Sequence, residues 1–284
     1  MIFSALWILT IKASSLNFIT MSSLGTPIAT GRTAEIYAWE DGCILKLIRP
    51  GFPAHLADQE WQQSLVAWKL GAPAPRPVRL IEVDGRRGGV LPRLDGPNLV
   101  QVLQHSLWRM DSLARLLGRL HSGLHRLSAP SFPSLHERLR WNLAHATLLG
   151  EPRKLAILAL LDRLPDEDFL CHGDFHMENI LLTSSGPVII DWEGSMHACP
   201  SGDVANTCLW FHNAFLDGGG ASGWLIRQIG LRLEHVYLAE YRRTGPPLKH
   251  LPEWMAVHAA AQMNEENKTR YPVLDRIVRR VLPI

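Results

Sequence analysis

The stretch that decides the fold is Cys-His-Gly-Asp-Phe-His-Met-Glu-Asn-Ile-Leu-Leu at residues 171–182, followed by Val-Ile-Ile-Asp-Trp-Glu at residues 188–193. Its polar residues stand at loop positions between short apolar runs that are typical of strands. Asp174 is followed five positions later by Asn179, and Asp191 closes the second apolar run. An isolated aspartate would most simply be a turn or helix cap. The joint spacing of these three side chains is far more specific.

The three side chains supply the groups that phosphoryl transfer on a kinase scaffold requires. One carboxylate orients the acceptor hydroxyl and accepts its proton. An amide oxygen and a second carboxylate hold the Mg²⁺ ions that bridge the nucleotide phosphates. The pattern therefore predicts a phosphotransferase that uses ATP and Mg²⁺.

The composition is that of a globular protein with one large core or two modest ones. The chain has 284 residues, of which 46% are hydrophobic, and its formal net charge is +2. This near-neutral balance gives no indication of nucleic-acid binding over a broad surface. The four cysteines are scattered without a CxxC pair. We therefore expect small buried hydrophobic side chains in a reducing compartment.

Residues 1–20 form an apolar N-terminal extension. The run Met1–Ile11 is too short to span a bilayer, Lys12 ends it, and it lacks the features of a secretory signal. It is either a membrane-associating extension or the product of an upstream start site, with Met21 beginning the folded protein. We favour the second interpretation, with a cytoplasmic location and no stable membrane span, because the catalytic pattern belongs to intracellular ATP chemistry.

Residues 21–94 have the pattern of a small nucleotide-binding lobe. Its strand-like segments, joined in pairs by Glu40-Asp41-Gly42 and Asp84-Gly85, are 33–39, 42–49, 78–83 and 88–94. Residues 56–70 have helical periodicity, and the predicted buried stripe is Ala57, Trp61, Leu65 and Trp68. This lobe is expected to be an antiparallel sheet with one helix.

Residues 95–284 are predominantly helical, apart from the catalytic loop at 171–193, where two short strands are expected. One buried helix face is indicated by Leu113, Leu117, Leu120, Leu124 and Leu127. Further helical segments are expected at 134–149, 153–164, 204–216, 224–242, 253–268 and 274–281. A small β-rich lobe, a hinge near 91–96 and a large, mainly helical lobe predict a two-lobed α+β enzyme.

The motif at 172–179 resembles the HGDxHxxN element of the aminoglycoside phosphotransferase and choline kinase-like family. Residues 190–193, Ile-Asp-Trp-Glu, are similar to its IDWE or IDFE element, and Asp203 resembles the aspartate that opens its core helix. The resemblance implies a protein kinase-like fold. It also implies that Asp174 is the catalytic base and that Asn179 and Asp191 are metal ligands.

A zinc site is the alternative for the two histidines of this motif. His172 and His176 are four residues apart, as in helical HExxH sites. Gly173 and the preceding apolar residues favour a strand-to-loop passage instead, and no glutamate occupies the second position. We therefore expect His172 to hold the loop by packing and hydrogen bonding, and His176 to face the phosphates or support the loop.

Lys46 lies in the middle of the apolar run Ile-Leu-Lys-Leu-Ile at 44–48. Strand alternation places it on the same face as the two isoleucines, which is unfavourable unless its ammonium meets an anion. The resemblance implies the α- and β-phosphates of ATP, and Glu60 is the expected ion-pair partner, ahead of Gln59. The alternative is that Lys46 extends to solvent from an edge strand and that Glu60 is solvated.

The other predicted nucleotide contacts are less specific. The hairpin at 29–35 contains one glycine rather than GxGxxG, so backbone N–H groups with the hydroxyl of Thr30 or Thr33 would contact the phosphates. Of these two, Thr33 is the candidate. The hinge is expected to offer backbone groups of Leu91 and Arg93 to the adenine, because Pro92 has no N–H.

Nothing in the sequence specifies the acceptor. Glu265-Glu266-Asn267 could bind a cationic acceptor, although a solvated acidic pair is the simpler interpretation. Trp210 and Trp254 could line an acceptor pocket, but we expect them to fill the helical core. The oligomeric state is also undetermined.

The leading prediction is an ATP-dependent, Mg²⁺-requiring phosphotransferase whose acceptor is a hydroxyl of a small molecule like an aminoglycoside, choline or a sugar. A protein kinase is the second hypothesis. It is opposed by Gly173, where protein kinases usually carry arginine, and by Trp192-Glu193 in place of Phe-Gly. The third hypothesis is a catalytically weak nucleotide-binding regulator. Its one support is that the hairpin at 29–35 contains a single glycine.

Overall fold

The computed structural model describes residues 24–40, 42–214 and 220–283. The predicted extension at 1–20 lies outside these residues. These described residues form two compact units: one comprises those up to Trp61 with Pro77–Arg93, and the other comprises Gln62–Arg76 with those from Leu94 onward. Across the described ranges, no helix combines the length and hydropathy that a bilayer crossing requires.

The first unit is built on an antiparallel sheet. Its strands are β1 (Ala29–Thr30), β2 (Ala34–Trp39), β3 (Cys43–Ile48), β4 (Arg79–Val83) and β5 (Arg86–Pro92). They follow the order β1-β2-β3-β5-β4 in a five-stranded sheet. Leu45 and Leu47 are fully buried in the core on one face. Because side chains alternate along a strand, Lys46 between them is directed to the opposite face.

The predicted buried stripe of helix α1 (His55–Lys69) is wrong in part. The helix buries Ala57, Glu60, Ser64 and Ala67 together with Gln63, whereas Trp68 is 38% exposed. The guanidinium of Arg76 covers the Trp68 ring at 4.9 Å. Apolar periodicity missed the buried face because several of its residues are polar and make specific contacts.

Helices form most of the second unit. They are α2 (Leu99–His105), α3 (Met110–Leu124), α4 (Leu135–Ala144), α5 (Glu151–Leu161), α6 (Pro200–Ala214), α7 (Gly220–Thr244), α8 (Leu251–Ala261) and α9 (Tyr271–Val281). Helix α3 buries the predicted Leu113, Leu117 and Leu124. A Cβ at Gly118 would lie 2.8 Å from the Tyr237 carbonyl oxygen, so the glycine allows α3 and α7 to approach closely.

The helices differ from the expectation in their bounds and in their number. The helix predicted at 134–149 ends at Ala144, and the helix predicted at 204–216 begins at Pro200. The helix predicted at 253–268 ends at Ala261 and is followed by a separate 3₁₀ segment, Glu265–Arg270. Asn264 starts that segment, because its side chain accepts the N–H of Asn267 at 3.2 Å. Helix α2 was not specifically predicted, and a reciprocal capping box between Asn98 and Gln101 begins it.

Four short strands, rather than the predicted two, frame the catalytic loop. Strand β6 (Phe169–Cys171) pairs with β9 (Met196–Ala198), and β7 (Ile180–Thr183) forms a hairpin with β8 (Gly186–Ile189). Antiparallel pairing places the residue before β7 beside the residues after β8. Asn179 and Asp191, twelve positions apart, are thereby brought to the same end of one hairpin.

Candidate active site

The catalytic loop leaves β6 at His172 and turns at Gly173. The φ of Gly173 is +77°, in the left-handed region. A Cβ at this position would lie 2.2 Å from the carbonyl oxygen of Gly194. Any side chain is therefore excluded here, including the arginine that protein kinases usually carry.

Asp203, in the first turn of α6, anchors the backbone of this loop. Its Oδ2 accepts the N–H of His172 at 2.7 Å, and its Oδ1 accepts the N–H of Gly173 at 3.0 Å. The carboxylate is 1% exposed, so these charge-assisted hydrogen bonds form away from solvent. The start of a helix also favours a negative charge.

His121 of α3 and His125, the residue that caps its C-terminal end, complete the surroundings of Asp203. Nε2 of His121 lies 3.0 Å from Oδ2 and Nε2 of His125 lies 3.4 Å from it. Their Nδ1 atoms meet the hydroxyls of Tyr237 and Tyr241 of α7 at 2.7 and 2.6 Å. A buried network therefore runs from α7 through α3 to α6 and ends at the catalytic loop.

The charges of this network follow from burial and mutual contact. Burial raises the pKa of Asp203, but His121 and His125 outweigh it and hold that pKa well below its ordinary value. Burial, reinforced by His125, lowers the pKa of His121 to about 4. Asp203 is thus an anion at neutral pH, and His121 beside it is uncharged.

The same three side chains are close enough to hold a metal ion. The two oxygens of Asp203 already face four N–H groups, and both histidine Nδ1 atoms face tyrosine hydroxyls. No donor atom of the cluster is left for a cation. The arrangement is a hydrogen-bond network that supports the loop.

Sequence reasoning missed the rest of this support. Nδ2 of Asn206 donates to the carbonyl oxygen of Gly173, and Oγ1 of Thr207 donates to that of Phe175, both at 2.8 Å. The spacing of Asn206 and Thr207 from Asp203 could have indicated this support, because residues three and four positions later lie on the same face of a helix. Two histidines in the leucine face of α3 were a second signal.

Asp174 presents its carboxylate on the exposed side of this loop. The side chain is 57% exposed, and its Oδ2 lies 3.4 Å from Nε2 of His176. The N–H of Glu178 donates to Nδ1 of His176 at 3.3 Å, which leaves Nε2 to carry the proton toward Asp174. Burial raises the pKa of Asp174, but His176, with His172, outweighs it and holds that pKa below its ordinary value. Asp174 is therefore an ionised hydrogen-bond acceptor at neutral pH.

Asn179 is buried and oriented by the same loop. Its Nδ2 donates to the carbonyl oxygen of Asp174 at 3.0 Å and lies 3.5 Å from Oδ2 of that residue. The backbone carbonyl oxygen of Asn179 accepts the N–H of Ile190 at 2.9 Å, which ties the loop to the segment of Asp191. Because the amide nitrogen is engaged, Oδ1 is the atom that Asn179 can offer to a cation.

Asp191 follows β8 in a left-handed backbone conformation, with φ 65° and ψ 63°. A non-glycine residue in this region is strained and persists where its surroundings fix it. Trp192, which is fully buried, donates its Nε1–H to the carbonyl oxygen of Ile189 at 2.9 Å. Ser195 hydrogen-bonds back to the Trp192 carbonyl oxygen at 2.7 Å. The buried indole thus fixes the turn that carries Asp191.

The two histidines of the motif have separate structural contacts. His172 donates from Nε2 to the carbonyl oxygen of Ile190 at 3.0 Å and packs against the Trp192 ring at 4.9 Å. His176 stacks on Trp210 with ring centroids 5.1 Å apart and a 2° interplanar angle. The expectation that His172 holds the loop is confirmed. Among the described residues, no metal-like cluster contains either histidine.

The predicted ion pair of the first unit is present. Nζ of Lys46 lies 2.7 Å from Oε1 of Glu60, and the two side chains are 16% and 10% exposed. A small cavity beside the pair is lined by both residues and by Leu91. A lysine held this way is positioned for an anion, since Glu60 fixes its direction.

Thr33 and Arg93 do not line this cavity. The carbonyl oxygen of Thr33 accepts the N–H of Arg49, and the N–H of Arg93 donates to the carbonyl oxygen of Gly42, both at 2.8 Å. Hydrogen-bonded pairs alternate along an antiparallel ladder, so Leu91 also turns its N–H toward β3. The N–H groups of Leu91 and Arg93 are therefore engaged within the sheet, contrary to their predicted availability to adenine.

A match to a protein-family model identifies the class of this protein. Residues 25–267 match the model of the phosphotransferase enzyme family. The chain belongs to that family, as the motifs at 172–179 and 190–193 predicted. No curated protein matches the sequence significantly.

Solved structures of the same fold include kinases with several acceptors. One is an aminoglycoside-3'-phosphotransferase of type VIII, with 20% identity, a TM-score of 0.58, and coverage of 84% of this chain and 92% of that chain. A choline kinase from Cryptosporidium parvum has 14% identity, a TM-score of 0.55, and coverage of 93% and 91%. An amicoumacin kinase, solved with AMP-PNP and Ca²⁺, has 15% identity, a TM-score of 0.58, and coverage of 92% and 88%. The predicted two-lobed α+β kinase-like fold is confirmed.

Proposed function

We propose that this protein transfers the γ-phosphate of ATP to a hydroxyl group of a small molecule. One observation carries the proposal: the exposed carboxylate of Asp174 stands on a backbone loop that the buried Asp203 fixes, with the amide of Asn179 bonded to that loop at 3.0 Å. A hydroxyl that is to receive a phosphoryl group must be oriented by a fixed hydrogen-bond acceptor at a position that the substrate can reach. Family membership supports the same reaction class.

Asp174 orients the acceptor hydroxyl in this proposal. Nε2–H of His176 is directed to Oδ2 at 3.4 Å, which leaves Oδ1 to accept the hydroxyl proton. The lowered pKa of Asp174 makes it a weak base. This suits a loose transition state, in which most acceleration comes from positioning and the acceptor proton moves late.

The oxygen donors near the hairpin fit Mg²⁺. Oδ1 of Asn179 and the carboxylate of Asp191 are hard oxygen ligands, the type that Mg²⁺ prefers. The strained turn at Asp191 and the engaged nitrogen of Asn179 hold both side chains in place. When bound, the ion would neutralise charge on the β- and γ-phosphates.

Lys46 is proposed to contact the nucleotide phosphates, with Glu60 holding its direction and the side chain of Leu91 flanking the same cavity. A related kinase that was solved with AMP-PNP supports a nucleotide at this fold. Thr33 and Arg93 remain predicted contacts that would act through groups other than those engaged in the sheet. We also propose a cytoplasmic location, where ATP is abundant, and no nucleic-acid partner.

Nucleotide binding and turnover test the proposal together. ATP with Mg²⁺ should raise the thermal midpoint of the protein, and acceptors should stimulate ADP release. Lys46→Met should raise the KM for ATP at least tenfold, because it removes the phosphate contact. The matched control is Lys154→Met, which removes a similarly buried lysine and breaks its ion pair with Glu151 in helix α5. Binding of ATP without turnover on any acceptor would instead indicate a nucleotide-binding regulator.

A further inference from the structure

We infer that the acceptor is a polyhydroxylated compound that carries an anionic group, such as a carboxylate or a phosphate. This inference rests on the proposed function and names the substrate class of the same site. It follows from a cavity of about 180 Å³ beside Asp174, all of whose lining residues belong to the second unit.

The charges that line this cavity do not suit a polycation. Asp174 is its one carboxylate and Arg270 its one guanidinium among the described residues. Asp174 is committed to the acceptor hydroxyl, so the described lining residues leave no second carboxylate for an ammonium group. An amine near Arg270 would meet a like charge, whereas a carboxylate or phosphate would gain a charge-assisted, bidentate partner.

The acidic pair that was considered as a binding site for a cationic acceptor lies outside this cavity. Glu265 and Glu266 are exposed and do not line the cavity. They belong to the 3₁₀ segment that ends at Arg270. In the described part of the chain, Arg270 has no carboxylate within ion-pair distance. The 3₁₀ segment therefore contributes the guanidinium of Arg270 to the cavity and neither of its two glutamates.

The amides of the cavity favour hydroxyl groups. Oδ1 of Asn213 is buried and has no hydrogen-bond partner among the described residues. Nδ2 of Asn206 is engaged with the carbonyl oxygen of Gly173, which leaves its Oδ1 as an acceptor. An unsatisfied buried oxygen is unfavourable until a donor reaches it. Hydroxyl groups of a bound acceptor would supply those donors.

A second cavity, of about 200 Å³, shares Asn206 and Gln262 with the first, and it too is lined by a guanidinium and by polar side chains. It is lined by Arg138, whose Nη1 donates to the carbonyl oxygen of Gly194 at 2.9 Å. It is also lined by His258, which is 7% exposed and whose Nε2 has no partner among the described residues. Asp203, the one carboxylate among its described lining residues, is already surrounded by N–H donors.

A quaternary ammonium acceptor would need open aromatic faces. The indole that lines the first cavity is Trp210, and one of its faces is covered by the parallel ring of His176. Phe175 also lines the cavity, but it is 1% exposed, so its ring does not present an open face. The cavity thus lacks an aromatic cage for choline among the residues that the structure describes. Its groups match a sugar acid or a sugar phosphate.

The test measures ADP release with gluconate, glucose 6-phosphate, glucose, choline and kanamycin, with ATP and Mg²⁺ held constant. The first two compounds separate a carboxylate from a phosphate as the anionic group. We expect the highest kcat/KM with one of them. Arg270→Gln should raise the KM of that compound roughly ten- to hundredfold with little change in kcat, since a charge-assisted hydrogen bond is lost. Arg270→Lys should restore part of the affinity.

Arg276→Gln is the matched control, because Arg276 is on the next helix and lines a different cavity. The inference is overturned if kanamycin or choline has the highest kcat/KM, if neither anion stimulates ADP release, or if Arg270→Gln leaves the KM of the preferred anion unchanged. A protein that neither binds ATP with Mg²⁺ nor releases ADP with any compound overturns the proposed function itself.

Discussion

Oδ2 of Asp203 accepts the backbone N–H of His172 at 2.7 Å, and this contact connects the buried network of the helical unit to the catalytic loop. The chemistry assigned to Asp174 depends on where the loop backbone lies. Asp203 is therefore a positioning residue, since it acts on the reaction through the loop.

Asp203→Asn should reduce both stability and turnover. The amide would direct an N–H group at N–H donors, and the negative charge that balances them would be lost. We expect the free energy of unfolding to fall by roughly 3–5 kcal/mol, as for other broken buried charge networks. Urea unfolding measures this loss. Asp111→Asn, which breaks a surface ion pair with Arg232, should cost about 1 kcal/mol or less. Equal losses in the two variants would contradict the network's role.

Lowering the pH should begin to destabilise the protein at a pH above the range in which carboxylates titrate. Burial lowers the pKa of both His121 and His258 to about 4, whereas the unfolded chain has values near ~6.5. The unfolded state therefore binds more protons between these values. Their contribution to stability is complete above pH ~6.5 and is lost as the pH falls toward 4.

The expected slope is up to ~1.4 kcal/mol per pH unit for each imidazole. Urea unfolding at several pH values between about 7.5 and 4.5 measures it. In His258→Asn the slope should decrease by about one proton's contribution, because the titrating group is removed. A free energy of unfolding that is flat or rises toward acid would show that these imidazoles are not buried in the neutral form.

Gly173→Ala should displace the catalytic loop. The added Cβ would lie 2.2 Å from the carbonyl oxygen of Gly194, at a φ of +77°. We expect a loss of more than about 2 kcal/mol in stability and a large loss of kcat. Gly186→Ala is the control for backbone strain alone, since Gly186 has a φ of +121° with nothing within 4 Å of an added Cβ. If the two variants have the same kcat, the close contact with Gly194 does not set the loop.

Sequence patterns predicted the features that depend on local chemistry. Strand alternation placed Lys46 away from the leucines beside it. The family resemblance, together with the position of Glu60 on the following helix, predicted their ion pair. The motif spacing brought Asp174 and Asn179 together, because both lie within one short loop. Asp191 joins them through hairpin pairing, which adjacent strand-like runs indicate.

The features that sequence did not reveal depend on long-range contacts. Asp203 meets His121 from a helix 82 residues away, and no local pattern encodes that pairing. The stripe of α1 was misassigned because Glu60 and Gln63 are buried by specific partners rather than by hydrophobicity. The N–H of Arg93 was expected to be available, but the strand continues far enough for it to reach Gly42.

The account's central claim is that Asp174 orients the acceptor hydroxyl, and Asp174→Asn tests it most directly. ADP release with the preferred acceptor should fall roughly hundredfold or more in kcat, while ATP with Mg²⁺ still raises the thermal midpoint as in the unmodified protein. Asp168→Asn, at a 64% exposed side chain outside the loop, should keep normal turnover. A kcat for Asp174→Asn within a few-fold of the unmodified protein would contradict the claim.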